Sequence, residues 1–225
     1  MGPRHETIFI DGPAGPLQAI FWTPPPSFRP PLAAVVCHPH PLYGGHMHNK
    51  VVYHTAKTLH AYGLPVLRFN FRGVGESAGV YDHGNGEAGD VVAALNRLTA
   101  EFPGTPLLVA GFSFGSWVGM RVGCSDARVT ELVGLGLPVN DAALNFDYLR
   151  TCAKPKLLLM GANDQYADRG NVTALAATIP GHDTGETRLV FVTEADHFFT
   201  GRLDQMTRTL SEWIVDRHPE LGQKS

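Results

Sequence analysis

The chain has 225 residues, 44% hydrophobic and 17% charged, with 18 Lys+Arg against 21 Asp+Glu. That length and apolar content suit one α/β domain over residues 1–225 and exclude a disordered chain or a coiled coil. A net charge of −3 argues against nucleic acid or an anionic membrane as the main partner, and no apolar stretch reaches the ~20 residues of a membrane span.

In chain order, Met1-Gly2-Pro3-Arg4-His5-Glu6 carries no apolar leader, which predicts a protein without a signal peptide. Residues 7–10 and 17–22 flank Asp11-Gly12-Pro13-Ala14-Gly15 and predict an antiparallel hairpin at one sheet edge. The proline-rich stretch 23–31 reads as a stiff surface connection, since a hairpin alone is too small to be a domain. Six apolar runs follow, at 32–37, 65–71, 107–110, 132–137, 156–160 and 189–192. Most lack in/out alternation, the pattern of strands buried on both faces in a mainly parallel sheet. Helical spacing recurs between them, at Val51, Thr55 and Leu59, at Val91, Ala94, Leu95 and Leu98, and at Leu203, Met206, Leu210, Trp213 and Ile214. Strands alternating with helices predict a twisted sheet with helices on both faces. Three cysteines, Cys37, Cys124 and Cys152, show no CxxC spacing, and they fit reduced thiols in a cytoplasmic protein.

The strongest local signal is Gly111-Phe112-Ser113-Phe114-Gly115, which follows one apolar run and precedes a segment, 116–123, that can be helical. A serine on a sharp strand-to-helix turn has its Oγ lifted above the sheet, and glycines allow the close approach. A hydroxyl needs a base to become a nucleophile, and the base needs an acid to orient it. Downstream, Asp164 stands just past the run 156–160, and His197 just past 189–192. Asp168 is a rival acid, although its position suits the start of a helix. The order Ser113, Asp164, His197 follows without forcing.

A tetrahedral intermediate needs backbone donors. One is the N–H of Phe114, and a second is expected from His38-Pro39-His40-Pro41-Leu42-Tyr43-Gly44-Gly45. Prolines cannot donate, so His40 and Leu42 remain, with His40 favoured. His38, His40, His46 and His48 also raise a zinc reading, but the spacing matches no common zinc pattern and the prediction is no metal. Phe69-Asn70-Phe71-Arg72-Gly73-Val74-Gly75-Glu76-Ser77 lacks the third glycine of a dinucleotide fingerprint, so it reads as a tight turn near the site.

Together these motifs resemble the α/β-hydrolase superfamily, and more narrowly the small bacterial serine hydrolases related to dienelactone hydrolase and the lid-less carboxylesterases. The resemblance is carried by CHPHPLYGGHMHNK (37–50), FNFRGVGES (69–77), GFSFG (111–115), GAND (161–164) and ADHF (195–198). It implies a catalytic triad of Ser113, Asp164 and His197, an oxyanion hole at His40 and Phe114, and no cofactor. It also implies cleavage of small carboxylic esters, with a thioesterase, a lactonase or a non-catalytic binding protein as alternatives. Dienelactone hydrolase carries Cys where this chain has Ser113. Only 18 residues, 138–155, separate two apolar runs where relatives with a lid insert one, so no cap is expected. The substrate walls would then come from Tyr43, Met47, Phe112, Phe114, Trp117, Tyr166, Phe198 and Phe199. This reading leaves room for a homodimer.

Overall fold

A computed structural model describes residues 4–222 of the chain. The leader expectation rests partly on residues 1–3, which lie outside the described residues, as do 223–225.

The hairpin forms as β1 (Arg4–Gly12) and β2 (Gly15–Thr23), paired antiparallel, with Pro13 and Ala14 making the connection. The proline-rich stretch leads to β3 (Ala33–Cys37), and then follow α1 (Lys50–Ala61), β4 (Val66–Phe69), α2 (Asn85–Glu101) and β5 (Leu107–Phe112). The second half holds α3 (Phe114–Ser125), β6 (Val129–Leu135), β7 (Lys156–Gly161), α4 (Arg169–Ala177), β8 (Thr187–Val192), α5 (Leu203–Arg217) and the short α6 (Pro219–Gly222). The strands form one sheet in the order β1-β2-β4-β3-β5-β6-β7-β8. β2 pairs antiparallel with β4, and all pairings from β4 to β8 are parallel. This is the expected mainly parallel α/β sheet with an antiparallel edge hairpin.

Continuous apolar runs became central strands because both faces are covered. One face of the sheet packs Leu67, Val109 and Leu158 with residues of α2, α3 and α4, including Leu95, Met120 and Val172. The other packs Val36, Ala110 and Leu157 with α1 and α5, including Leu59, Leu210 and Trp213. Filling both layers with such side chains stabilises the fold by roughly 1.5–3 kcal/mol for each fully buried one, before chain entropy is subtracted.

Topology then positions the site. From β3 the chain runs outward to β4, returns through α2 to β5 on the other side of β3, and continues in that direction. The loops after β3 and β5 therefore diverge, which opens a crevice at the carboxyl ends of the strands. Between β6 and β7 the described chain has only a 3-10 turn, Asp147–Thr151, and no helical cap. No helix of the described residues is long and apolar enough to cross a membrane.

Candidate active site

Ser113 sits between β5 and α3 with φ 55° and ψ −123°, a left-handed conformation that costs a non-glycine residue on the order of 1–3 kcal/mol. The surroundings enforce it. A Cβ on Gly111 would meet the Gly115 carbonyl, and one on Gly115 would meet the His38 and Cys37 carbonyls. Both motif glycines are thus needed for close approach of helix to strand.

His197 follows β8 and Asp164 follows β7. The His197 Nδ1–H donates to Asp164 Oδ2 at 2.8 Å, and both side chains are almost fully buried. The second carboxylate oxygen, Oδ1, accepts the Tyr166 N–H at 2.8 Å, so Asp164 is held from two sides. With Nδ1 engaged, Nε2 is the ring nitrogen left to accept a proton. Phe112 packs on the imidazole with ring centroids 4.9 Å apart, Tyr166 at 4.7 Å and Phe198 at 5.2 Å. Gly136, at φ 53°, lies behind the ring, where a Cβ would come within 3.2 Å of His197. The rival Asp168 does something else. Its Oδ1 accepts the N–H groups of Gly170 and Asn171 and caps α4.

The loop after β3 is braced by its histidines. His38 is buried, donates from Nδ1 to the Pro39 carbonyl (2.6 Å) and accepts the Phe71 N–H at Nε2 (2.9 Å). Burial lowers its pKa from 6.5 to about 3, so it stays neutral. His40 Nδ1 accepts the Leu42 N–H (3.2 Å), which leaves the proton on Nε2, facing the Tyr81 hydroxyl at 3.1 Å. Burial lowers its pKa as well, against the opposing charges of Asp141 and Glu87. These rings act as struts, and among the described residues no three His, Cys, Asp or Glu side chains are grouped to hold a metal ion. The turn 69–77 is fixed by Arg72, which binds the fully buried Asp90 through Nε, Nη2 and its own backbone N–H.

A cavity of about 480 Å³ opens over Ser113 and His197. Pro39, His40, Tyr43, Gly44, Asn49, Phe114, Pro138, Asp141, Leu144, Tyr166 and Phe198 complete its lining. A larger recess of about 840 Å³ among the prolines of 24–31 is lined by no serine and no histidine.

Of the expected wall residues, Tyr43, Phe114, Tyr166 and Phe198 line the cavity, and four do not. Met47 is buried, and its backbone, with the N–H donating to Asn70 Oδ1 and the carbonyl accepting from Arg68 Nη1, anchors the loop. Phe112, a strand residue, points to the layer behind His197. Trp117 lies one turn into α3, where its indole N–H binds the Asn145 carbonyl at 2.8 Å and steadies the loop that carries Asp141. Phe199 is fully buried in the core layer. The sequence reading missed Asn49, Pro138, Asp141 and Leu144. The last three sit just past β6, and the rule that sites gather beyond the carboxyl ends of strands pointed to that loop.

A strained serine over a mainly parallel sheet, with a buried carboxylate–imidazole pair beside it, is the layout of an α/β hydrolase. The alpha/beta hydrolase domain family matches residues 35–216, and the chain belongs to it. The chain is 34% identical over 211 residues to an uncharacterized protein of Rickettsia prowazekii, covering 92% of this chain and 88% of that one. Among solved structures it is similar to an α/β serine hydrolase without lid from Xanthomonas campestris, with 33% identity, 94% of each chain covered and a TM-score of 0.84. It is also similar to an α/β serine hydrolase homologue from Coxiella burnetii, with 36% identity, 92% and 96% covered and a TM-score of 0.83. By family and fold the chain is an α/β hydrolase, with no helical cap among the described residues.

Proposed function

We propose that the chain is a serine esterase that hydrolyses short-chain carboxylic esters through an acyl-enzyme. The reading rests above all on the buried 2.8 Å bond between His197 and Asp164, which opens on the cavity shared with Ser113. His197 Nε2 takes the proton from Ser113 Oγ as the oxygen attacks the ester carbonyl. Asp164 keeps the imidazole in the correct tautomer and stabilises the imidazolium that forms. The developing oxyanion is met by the N–H of Phe114, at the head of α3 where helical N–H groups lack internal partners, and by that of His40. The Leu42 N–H is spent on His40 Nδ1, which favours His40 of the two candidates. The imidazolium then protonates the leaving alkoxide. Water enters, gives a proton to His197 and attacks the acyl carbon; the bond to Ser113 Oγ then breaks, the imidazolium returns its proton to Oγ, and the acid leaves. No step calls on a metal or cofactor.

The serine-hydrolase relatives support this chemistry, and three free cysteines support a reducing compartment such as the cytoplasm. The test is a fluorophosphonate probe combined with matched ester, thioester and lactone panels. Labelling of Ser113 and fastest turnover of esters is expected. Labelling with thioesters or lactones turned over fastest would reassign the substrate, and no labelling of folded protein would leave a binding protein.

A further inference from the structure

The cavity over Ser113 carries an unbalanced charge. Among its lining residues Asp141 is the one carboxylate, and no Lys or Arg lines it. Asp141 sits in a tight turn after β6, where its N–H binds the Pro138 carbonyl, its carbonyl takes the Leu144 N–H, and Oδ1 accepts the Ala143 N–H at 3.0 Å. An Asn could make the same turn. The negative charge is therefore not explained by the fold, and no ion pair among the described residues engages it.

That charge also works against a neutral substrate. Burial lowers the His40 pKa and raises that of Tyr81, and on both groups the charges of Asp141 and Glu87 act upward; the Asp141 field thus reaches the loop that would hold an oxyanion, where a negative potential is unfavourable. A positive group on the substrate would turn the same field to advantage. Around the mouth stand three aromatic side chains with unusual exposure, Tyr43 at 86%, Tyr166 at 50% and Phe198 at 38%. Aromatic faces beside a carboxylate are the chemistry that receives an ammonium, through cation–π attraction and charge together.

We propose that the site selects esters bearing an ammonium group a few bonds from the scissile carbonyl, held by Asp141 and by the faces of Tyr43, Tyr166 and Phe198. This rests on the esterase reading and supplies its substrate class. The cation can belong to the alcohol or to the acyl part, and two arms separate these. In the first, acetylcholine is compared with its neutral isostere 3,3-dimethylbutyl acetate. In the second, the p-nitrophenyl ester of 4-(trimethylammonio)butyrate is compared with that of 5,5-dimethylhexanoate and with the anionic glutarate monoester.

The quantity read is the ratio of kcat/KM, cationic over neutral. At low ionic strength it should be about tenfold or more in at least one arm, with the anionic ester below the neutral one. Asp141→Asn keeps the turn and should cut that ratio by about threefold or more; Asp141→Lys should reverse the preference. Salt at 0.5 M should flatten the wild-type ratio, because the charge is exposed to screening. Ratios near one in both arms, or a ratio that Asp141→Asn does not move, would overturn the inference while turnover of the neutral esters left the esterase reading standing. No turnover of any ester, with no fluorophosphonate on Ser113, would overturn both.

Discussion

The floor and the rim of the cavity are held in different ways. On the floor, Ser113 is forced into a left-handed backbone, and the buried Asp164 and His197 are fixed by hydrogen bonds and stacked rings. The rim residues Tyr43, Asp141, Tyr166 and Phe198 are exposed, Tyr43 in a short 3-10 turn and the others on loops. A buried polar group left without its partner costs ~1–3 kcal/mol, so the floor tolerates one arrangement. An exposed side chain carries no such penalty, so the rim is free to set what is admitted. Chemistry and selectivity can therefore be altered separately.

The largest effect is expected at the floor. Ser113→Ala should lower kcat on the order of 10⁶-fold, as for nucleophiles of comparable triads, with an unchanged thermal midpoint. Ser113→Gly should be equally inactive yet about 1 kcal/mol more stable, because glycine accepts φ 55° without strain. A Ser113→Ala enzyme that turned over normally would end the floor-and-rim distinction.

Asp164→Asn should lower kcat by ~10⁴-fold by losing the correct His197 tautomer, whereas Asp168→Asn should change it less than about twofold, since Asn caps a helix as well as Asp. Steady-state kinetics on one ester decides this, and the reverse ranking would move the acid to Asp168. Below the floor, Asp90→Ala strips Arg72 of its buried partner and should cost about 3–5 kcal/mol in urea unfolding. A loss under 1 kcal/mol would show that the 69–77 turn holds without the pair.

Changes at the rim should be milder. Each buried methylene can contribute ~0.8 kcal/mol until the cavity ends. With about 480 Å³ and no cap, kcat/KM on p-nitrophenyl esters should peak between acetate and hexanoate and fall by about tenfold or more at dodecanoate. An optimum at palmitate would mean a tunnel. The smallest effect concerns His38. The unfolded chain binds a proton between pH 6.5 and about 3 that the folded chain excludes, so stability is full above pH 6.5 and falls as pH drops. The slope approaches 1.4 kcal/mol per unit at most. In His38→Gln the loss in urea midpoint from pH 7 to pH 5 should be shallower, and an equal loss would remove His38 as the cause.

Much of this was legible from local pattern. Strands covered on both faces are mostly apolar, so β3, β4, β5 and β7 announced themselves despite the buried Arg68 and Lys156, while the edge strand β8 showed through its run 189–192. β6 was expected at 132–137 and lies at Val129–Leu135. Its start was hidden by Glu131, which is buried against Arg217 and His218, and its end is cut by Gly136 at positive φ. The helix α4 was signalled only by its cap, Asp168, because it buries just Val172 and Ala176.

The sequence by itself determined the sheet, the elbow at Ser113, and the order in which Asp164 and His197 follow it. Those features depend on local conformational preference and on burial, which neighbouring residues encode. Only the tertiary structure decided that Asp164 and His197, 33 positions apart, meet through Oδ2 and Nδ1. It also decided that Met47, Phe112, Trp117 and Phe199 turn inward while Asp141 faces the cavity. Residue type carries the chemistry of a side chain but not its direction. Direction is set by which loops the strand order brings together, and that depends on the whole sheet.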